Sequence, residues 1–93
     1  MTTIPTSGAF LRAFARARMT AGTRHVATAI ASAISYDGKY RGAPRGYAAF
    51  TMNELQEITG LAARTIQVAL TELAEMFGLT VTRRHHQRHF FRF

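Results

Sequence analysis

Ninety-three residues suffice for one domain around a single hydrophobic core and are too few for a catalytic cleft between two domains. Hydrophobic residues at 47% and charged residues at 18% are the balance of a folding chain, and the lack of cysteine excludes a disulfide framework or a thiolate zinc site. Twelve Lys and Arg against five Asp and Glu give a net charge of +7, which favours a polyanionic partner through counterion release.

Residues 1–8 hold Pro5, Ser7, Gly8 and three threonines and read as a flexible leader. The single domain expected over residues 9–93 opens with an alanine-rich amphipathic helix to Met19, with Phe10 and Phe14 at i and i+4. Ala21, Gly22 and Thr23 break it, and Thr23 is placed to cap a second helix running to about Tyr36, with Val26, Ile30, Ala33 and Ile34 as its apolar stripe. Residues 37–46 carry three glycines, Pro44 and the basic residues Lys39, Arg41 and Arg45, a mobile basic loop.

After a brief extended candidate at Tyr47 to Phe50, Thr51 and Glu54 have the spacing of a capping box and open a third helix, stopped by Thr59 and Gly60. A fourth helix over residues 62–77 turns Ile66, Leu70, Leu73 and Phe77 inward and ends at Gly78. From Leu79 onward the apolar period changes to two, with Leu79, Val81, Phe91 and Phe93, which predicts a two-stranded hairpin turning near His86 to Arg88.

Charge is unevenly distributed. Residues 46–82 hold four glutamates and Arg64 alone, whereas the last eleven residues hold Arg83, Arg84, Arg88 and Arg92 with three histidines and no acid. The paired carboxylates Glu54 with Glu57 and Glu72 with Glu75 lie at i, i+3 and read as solvated helix faces. The chain lacks a nucleophile, base and orienting acid in a shared pattern and has no phosphate-binding glycine loop. An enzyme is not expected, nor a cofactor. His85, His86 and His89 have no cysteine or acid beside them and suggest phosphate or solvent contact rather than a metal site.

The run FTMNELQEITGLAARTIQVALTEL at residues 50–73, followed by FGLTV at 77–81, resembles the winged helix-turn-helix domains of bacterial and phage regulators and of plasmid or phage replication initiators. In those domains a helix closes on Thr-Gly-Leu, a recognition helix has the form Arg-Thr-Val-x-x-Ala-Leu-x-x-Leu, and Gly-Leu leads into a wing. The resemblance covers residues 50–93, about half the chain, and implies a mainly α (α+β) fold of about four helices and a C-terminal two-stranded wing. It implies that helix 62–77 enters the major groove of duplex DNA with Ala63, Arg64, Gln67, Val68 and Thr71 facing the bases. The wing would contact phosphates through Arg83, Arg84, His86 and Arg88, and Lys39, Arg41 and Arg45 would add loop contacts.

Three functions fit these residues. The first is a small transcriptional regulator binding double-stranded DNA, acting as a homodimer through the helix containing Phe10 and Phe14. The second is a DNA-binding component of plasmid or phage replication or partition. The third is a winged-helix protein-interaction module, such as a phage inhibitor of a host factor, for which Ala62 and Ala63 speak because they stand where such domains carry a Ser or Thr cap followed by a polar or basic residue. No secretory signal or apolar run of ~20 residues occurs, so the expected setting is the cytoplasm of a bacterial or phage-infected cell, away from membranes.

Overall fold

The structure, a computed structural model, describes residues 7–93, with side chains of the first helix described from Leu11 onward. The leader expected at 1–8 therefore lies outside the described residues up to Thr6, and its last two residues are helical. The elements in chain order are α1 (Ser7–Arg16), α2 (Ala21–Ser32), β1 (Ala48–Phe50), α3 (Met52–Thr59), α4 (Ala63–Phe77), β2 (Thr80–Thr82) and β3 (His89–Arg92). The described residues thus form an α+β fold of four helices and a three-stranded antiparallel sheet in the order β1-β3-β2.

Helix α1 ends at Arg16 rather than Met19, and the break falls earlier than the glycine. Thr20, not Thr23, caps α2: its hydroxyl accepts from the Thr23 backbone N–H at 3.2 Å. Thr23 instead turns inward and donates its hydroxyl hydrogen to Glu72 of α4 at 2.7 Å. Helix α2 stops at Ser32, so Ala33 and Ile34 are buried beyond the helix rather than on its stripe.

The core is built around α2, whose Val26, Ala27, Ile30 and Ala31 are fully buried. The two alanines present little side-chain bulk, which lets neighbouring helices approach closely. Facing them are Leu55 of α3 and Ile66, Ala69, Leu70 and Leu73 of α4, all buried, as the helical spacing predicts. Phe14 closes one end at 1% exposure, with ring centroids 5.0 Å from Phe77 and 5.1 Å from Phe93. The Phe14 side chain fills the core of its own chain and is not on the face of α1 open to a partner, where Leu11 is exposed. The side chain of Phe10 lies outside the described residues.

Gly60 and Gly78 end α3 and α4 in left-handed conformations at φ 71° and 69°, which glycine adopts without Cβ strain. Short strands follow. The segment at Tyr47 to Phe50 supplies β1, which pairs Ala48 with Phe91 and Phe50 with His89. The hairpin expected to stand as two strands is thus a three-stranded sheet, because β3 has a second edge to satisfy and β1 satisfies it.

The loop at 37–46 is more organised than its composition suggests. The fully buried Ser35 accepts backbone N–H bonds from Gly38 at 3.1 Å and Tyr40 at 3.2 Å through Oγ. Its own backbone exchanges bonds with Gly46 and Tyr47 at 2.7 and 2.8 Å. A single 3-10 turn at Tyr40–Gly42 completes it. Among the described residues no helix is long and apolar enough to cross a membrane.

Candidate nucleic-acid interface

Helices α3 and α4 are joined by only three residues, 60–62, so the first fixes the direction of the second. The start of α3 is secured by a complete capping box: Thr51 Oγ1 accepts from the Glu54 N–H at 3.1 Å, and Glu54 accepts from the Thr51 N–H at 2.8 Å. The start of α4 has no such device. Ala62 is its N-cap and makes no side-chain cap bond, leaving backbone N–H donors of the first turn for water or a ligand.

With Ile66, Ala69, Leu70 and Leu73 inward, Arg64, Gln67, Val68 and Thr71 are exposed and Ala63 is half-buried. Val68 is 50% exposed, one turn from Arg64 on the same face. Thr71 donates its hydroxyl hydrogen back to the Gln67 backbone carbonyl at 3.1 Å, and the Gln67 amide side chain is exposed. Gln67, Thr71 and Ala74 of α4 line one side of an open groove, and Val81 and Arg83 line the other, with Leu70 and Leu79 at its floor. The hairpin and the exposed face of α4 therefore open onto the same space.

The basic and histidine residues of the hairpin separate into different surroundings. Arg83 is exposed with no acidic partner among the described residues. Arg84 is half-buried, with its guanidinium 4.3 Å from the Phe90 ring centroid and a side-chain bond to Gln87. His86 sits at the tip at φ 56°, its ring 3.8 Å from that of His85. His89 accepts the Arg84 backbone N–H at Nδ1 at 3.0 Å. Among the described residues no group of three or more His, Cys, Asp or Glu is arranged to hold a metal ion.

Arg88 and Arg41, both expected to reach phosphates, meet at Glu54. Arg88 donates to Glu54 from Nε at 3.0 Å and Nη2 at 3.1 Å, and Arg41 donates to the same carboxylate from the other side. Arg41 also donates to the Ala49 carbonyl at 3.0 Å and lies over the Phe50 ring. These bonds hold the Glu54 carboxyl at about 2, the Arg88 bond being the largest cause, followed by the Thr51 N–H and the charge of Arg41, against the opposing effect of burial. The same bond raises the Arg88 pKa. The sequence suggests a cap and a solvated helix face for Glu54 and does not show this ion-pair role, because its partners lie 13 and 34 residues away. Lys39 and Arg45 are exposed, with no acidic partner among the described residues.

Comparison with protein-family models, with curated proteins and with solved structures found no match to this chain.

Proposed function

We propose that this chain is a winged helix-turn-helix protein that binds duplex DNA, most simply as a small transcriptional regulator. From α2 onward the order helix, strand, helix, helix, strand, strand, with the hairpin as wing, supports the fold. The observation that carries the function is the shared groove, in which Gln67 and Thr71 of α4 and Arg83 of the hairpin line one opening. A helix seated in the major groove places its outward residues against base edges while a flanking basic hairpin reaches the phosphates. Arg64 then serves as a bidentate donor to guanine or phosphate, Gln67 as a partner for adenine, and Val68 as an apolar contact to a thymine methyl.

Lys39 and Arg45 are the loop cations left to engage phosphate, and Arg83 is the principal wing contact. A dimer would place two α4 helices about 34 Å apart, using a surface other than Phe14. Selection of bound duplexes from a random pool, followed by footprinting at the chain's own locus, tests the assignment. An enriched motif protected near a promoter supports a regulator, and one protected at a replication origin supports a replication or partition role. Failure to enrich any sequence, with capture of no duplex, would favour the protein-interaction reading, to which the half-exposed Val68 and Ile58 lend an apolar surface.

A further inference from the structure

On the side of the sheet turned away from the core, Phe90 and Arg92 of β3 form one row with Tyr47 and Arg84 from just beyond the strands, and Ala49, paired with Phe90, is fully buried beside them. Phe91 and its cross-strand partners Ala48 and Val81 face the core, so strand alternation sends Phe90 and Arg92 to the opposite face. There the Arg84 guanidinium lies 4.3 Å from the Phe90 centroid, Phe90 lies 6.2 Å from Tyr47, and Arg92 lies 5.5 Å from Tyr47. Thr82 and Thr80, paired with Phe90 and Arg92, are exposed and uncharged. Arg92 is exposed and has no acidic partner among the described residues, and the side-chain hydrogen bond of Arg84 goes to the neutral amide of Gln87.

We propose that this outer sheet face binds single-stranded nucleic acid, independently of the groove beside α4. Two neighbouring half-buried rings, each with a guanidinium over it, match the chemistry of a strand whose bases are unpaired. Each base has a π-face to stack on a guanidinium plane backed by a ring, or on the ring once its arginine turns to a phosphate. Stacking requires the bases to be exposed, so a paired duplex cannot use the rings. The absence of acid in the row fixes the sign of the partner, and stacking, which every base can supply, predicts tolerance of sequence. Adjacent arginines divide between the two faces: Arg83 lines the α4 groove, and Arg84 lies on the ring of Phe90.

Fluorescence anisotropy with labelled oligothymidylate and oligouridylate of about 12 nucleotides, in low salt, reads this directly. The wild-type chain binds at least one of them. Tyr47→Leu, which keeps apolar bulk without a ring, and Arg92→Gln, at an exposed position, each weaken binding about fivefold or more, whereas Tyr47→Phe retains it. Circular dichroism establishes that each variant is folded, and the exposed Arg92→Gln decides the matter if Tyr47→Leu is not. Arg64→Ala leaves binding of the single strand unchanged. Binding of neither oligonucleotide, equal binding by Arg92→Gln and wild type, or loss of binding in Arg64→Ala would each overturn the proposal.

Discussion

Arg88 at the end of the hairpin turn and Glu54 in the first turn of α3 form a two-point ion pair, with Nε and Nη2 at 3.0 and 3.1 Å from the carboxylate oxygens. The carboxylate already completes the α3 capping box and also receives Arg41. One side chain therefore joins the hairpin, the basic loop and the start of the α3–α4 pair, three parts that sequence separates.

The linkage has a defined pH dependence. The Glu54 carboxyl is depressed from 4.5 to about 2 on folding, so its contribution is fully present above pH 4.5. It is lost as pH falls from there toward 2, where the folded protein takes up the proton. Glu54 is a quarter exposed, and solvent screening reduces the contribution to about 1 kcal/mol. Thermal melts between pH 7 and pH 2 should show wild type losing more stability than Glu54→Gln over this window, and parallel curves would contradict the pair.

Removing the cap should cost less than removing the hub. Thr51→Ala leaves the arginine pairs in place and is expected to lower stability by about 1 kcal/mol. Glu54→Ala also leaves Arg41 and Arg88 facing one another across the vacated site, and should lower it further. Urea titrations of both variants check the order.

Phe14 tests the packing of α1. It is 1% exposed against Phe77 and Phe93, and Phe14→Ala should destabilise the chain by about 3–5 kcal/mol. Sedimentation of wild type and of Leu11→Glu, which changes the exposed side of the same helix, checks whether α1 contributes to self-association. A shift to smaller species in Leu11→Glu would assign a dimer contact to that face.

Helix periodicity and capping chemistry made much of this fold legible. The stripe Ile66, Leu70, Leu73, the Thr51 to Glu54 box and the glycine stops at 60 and 78 are local signals, and each stands where the sequence places it. Thr20 and Thr23 were harder to separate, since both are capping residues three positions apart. Only the long-range acceptor Glu72 explains why Thr23 turns inward. Strand β1 was visible only as a short apolar run, because three residues carry little periodicity and its partner lies at the far end of the chain. The basic residues divide in the same way: composition counts Arg41, Arg83, Arg84 and Arg88 alike. Their surroundings distinguish the two held by Glu54 and the one stacked on Phe90 from exposed Arg83.

That difference predicts unequal effects on DNA. Arg83→Ala should weaken all duplexes alike and lower the salt slope by about one, whereas Arg64→Ala should cost about 1–3 kcal/mol and relax sequence preference. Arg88→Ala should change the slope less than Arg83→Ala, because Arg88 must leave Glu54 before it reaches a phosphate. Equal slopes for Arg83→Ala and Arg88→Ala in anisotropy titrations would mean that the ion pair does not compete with DNA.

Duplex binding through α4 and the hairpin is read by anisotropy of random-sequence and own-locus duplexes across a salt series. The expected result is a log–log slope of about −3 to −5, corresponding to a handful of neutralised phosphates. Tighter binding to one duplex should accompany it and be lost in Arg64→Ala. Negligible binding to every duplex at low salt would contradict the claim.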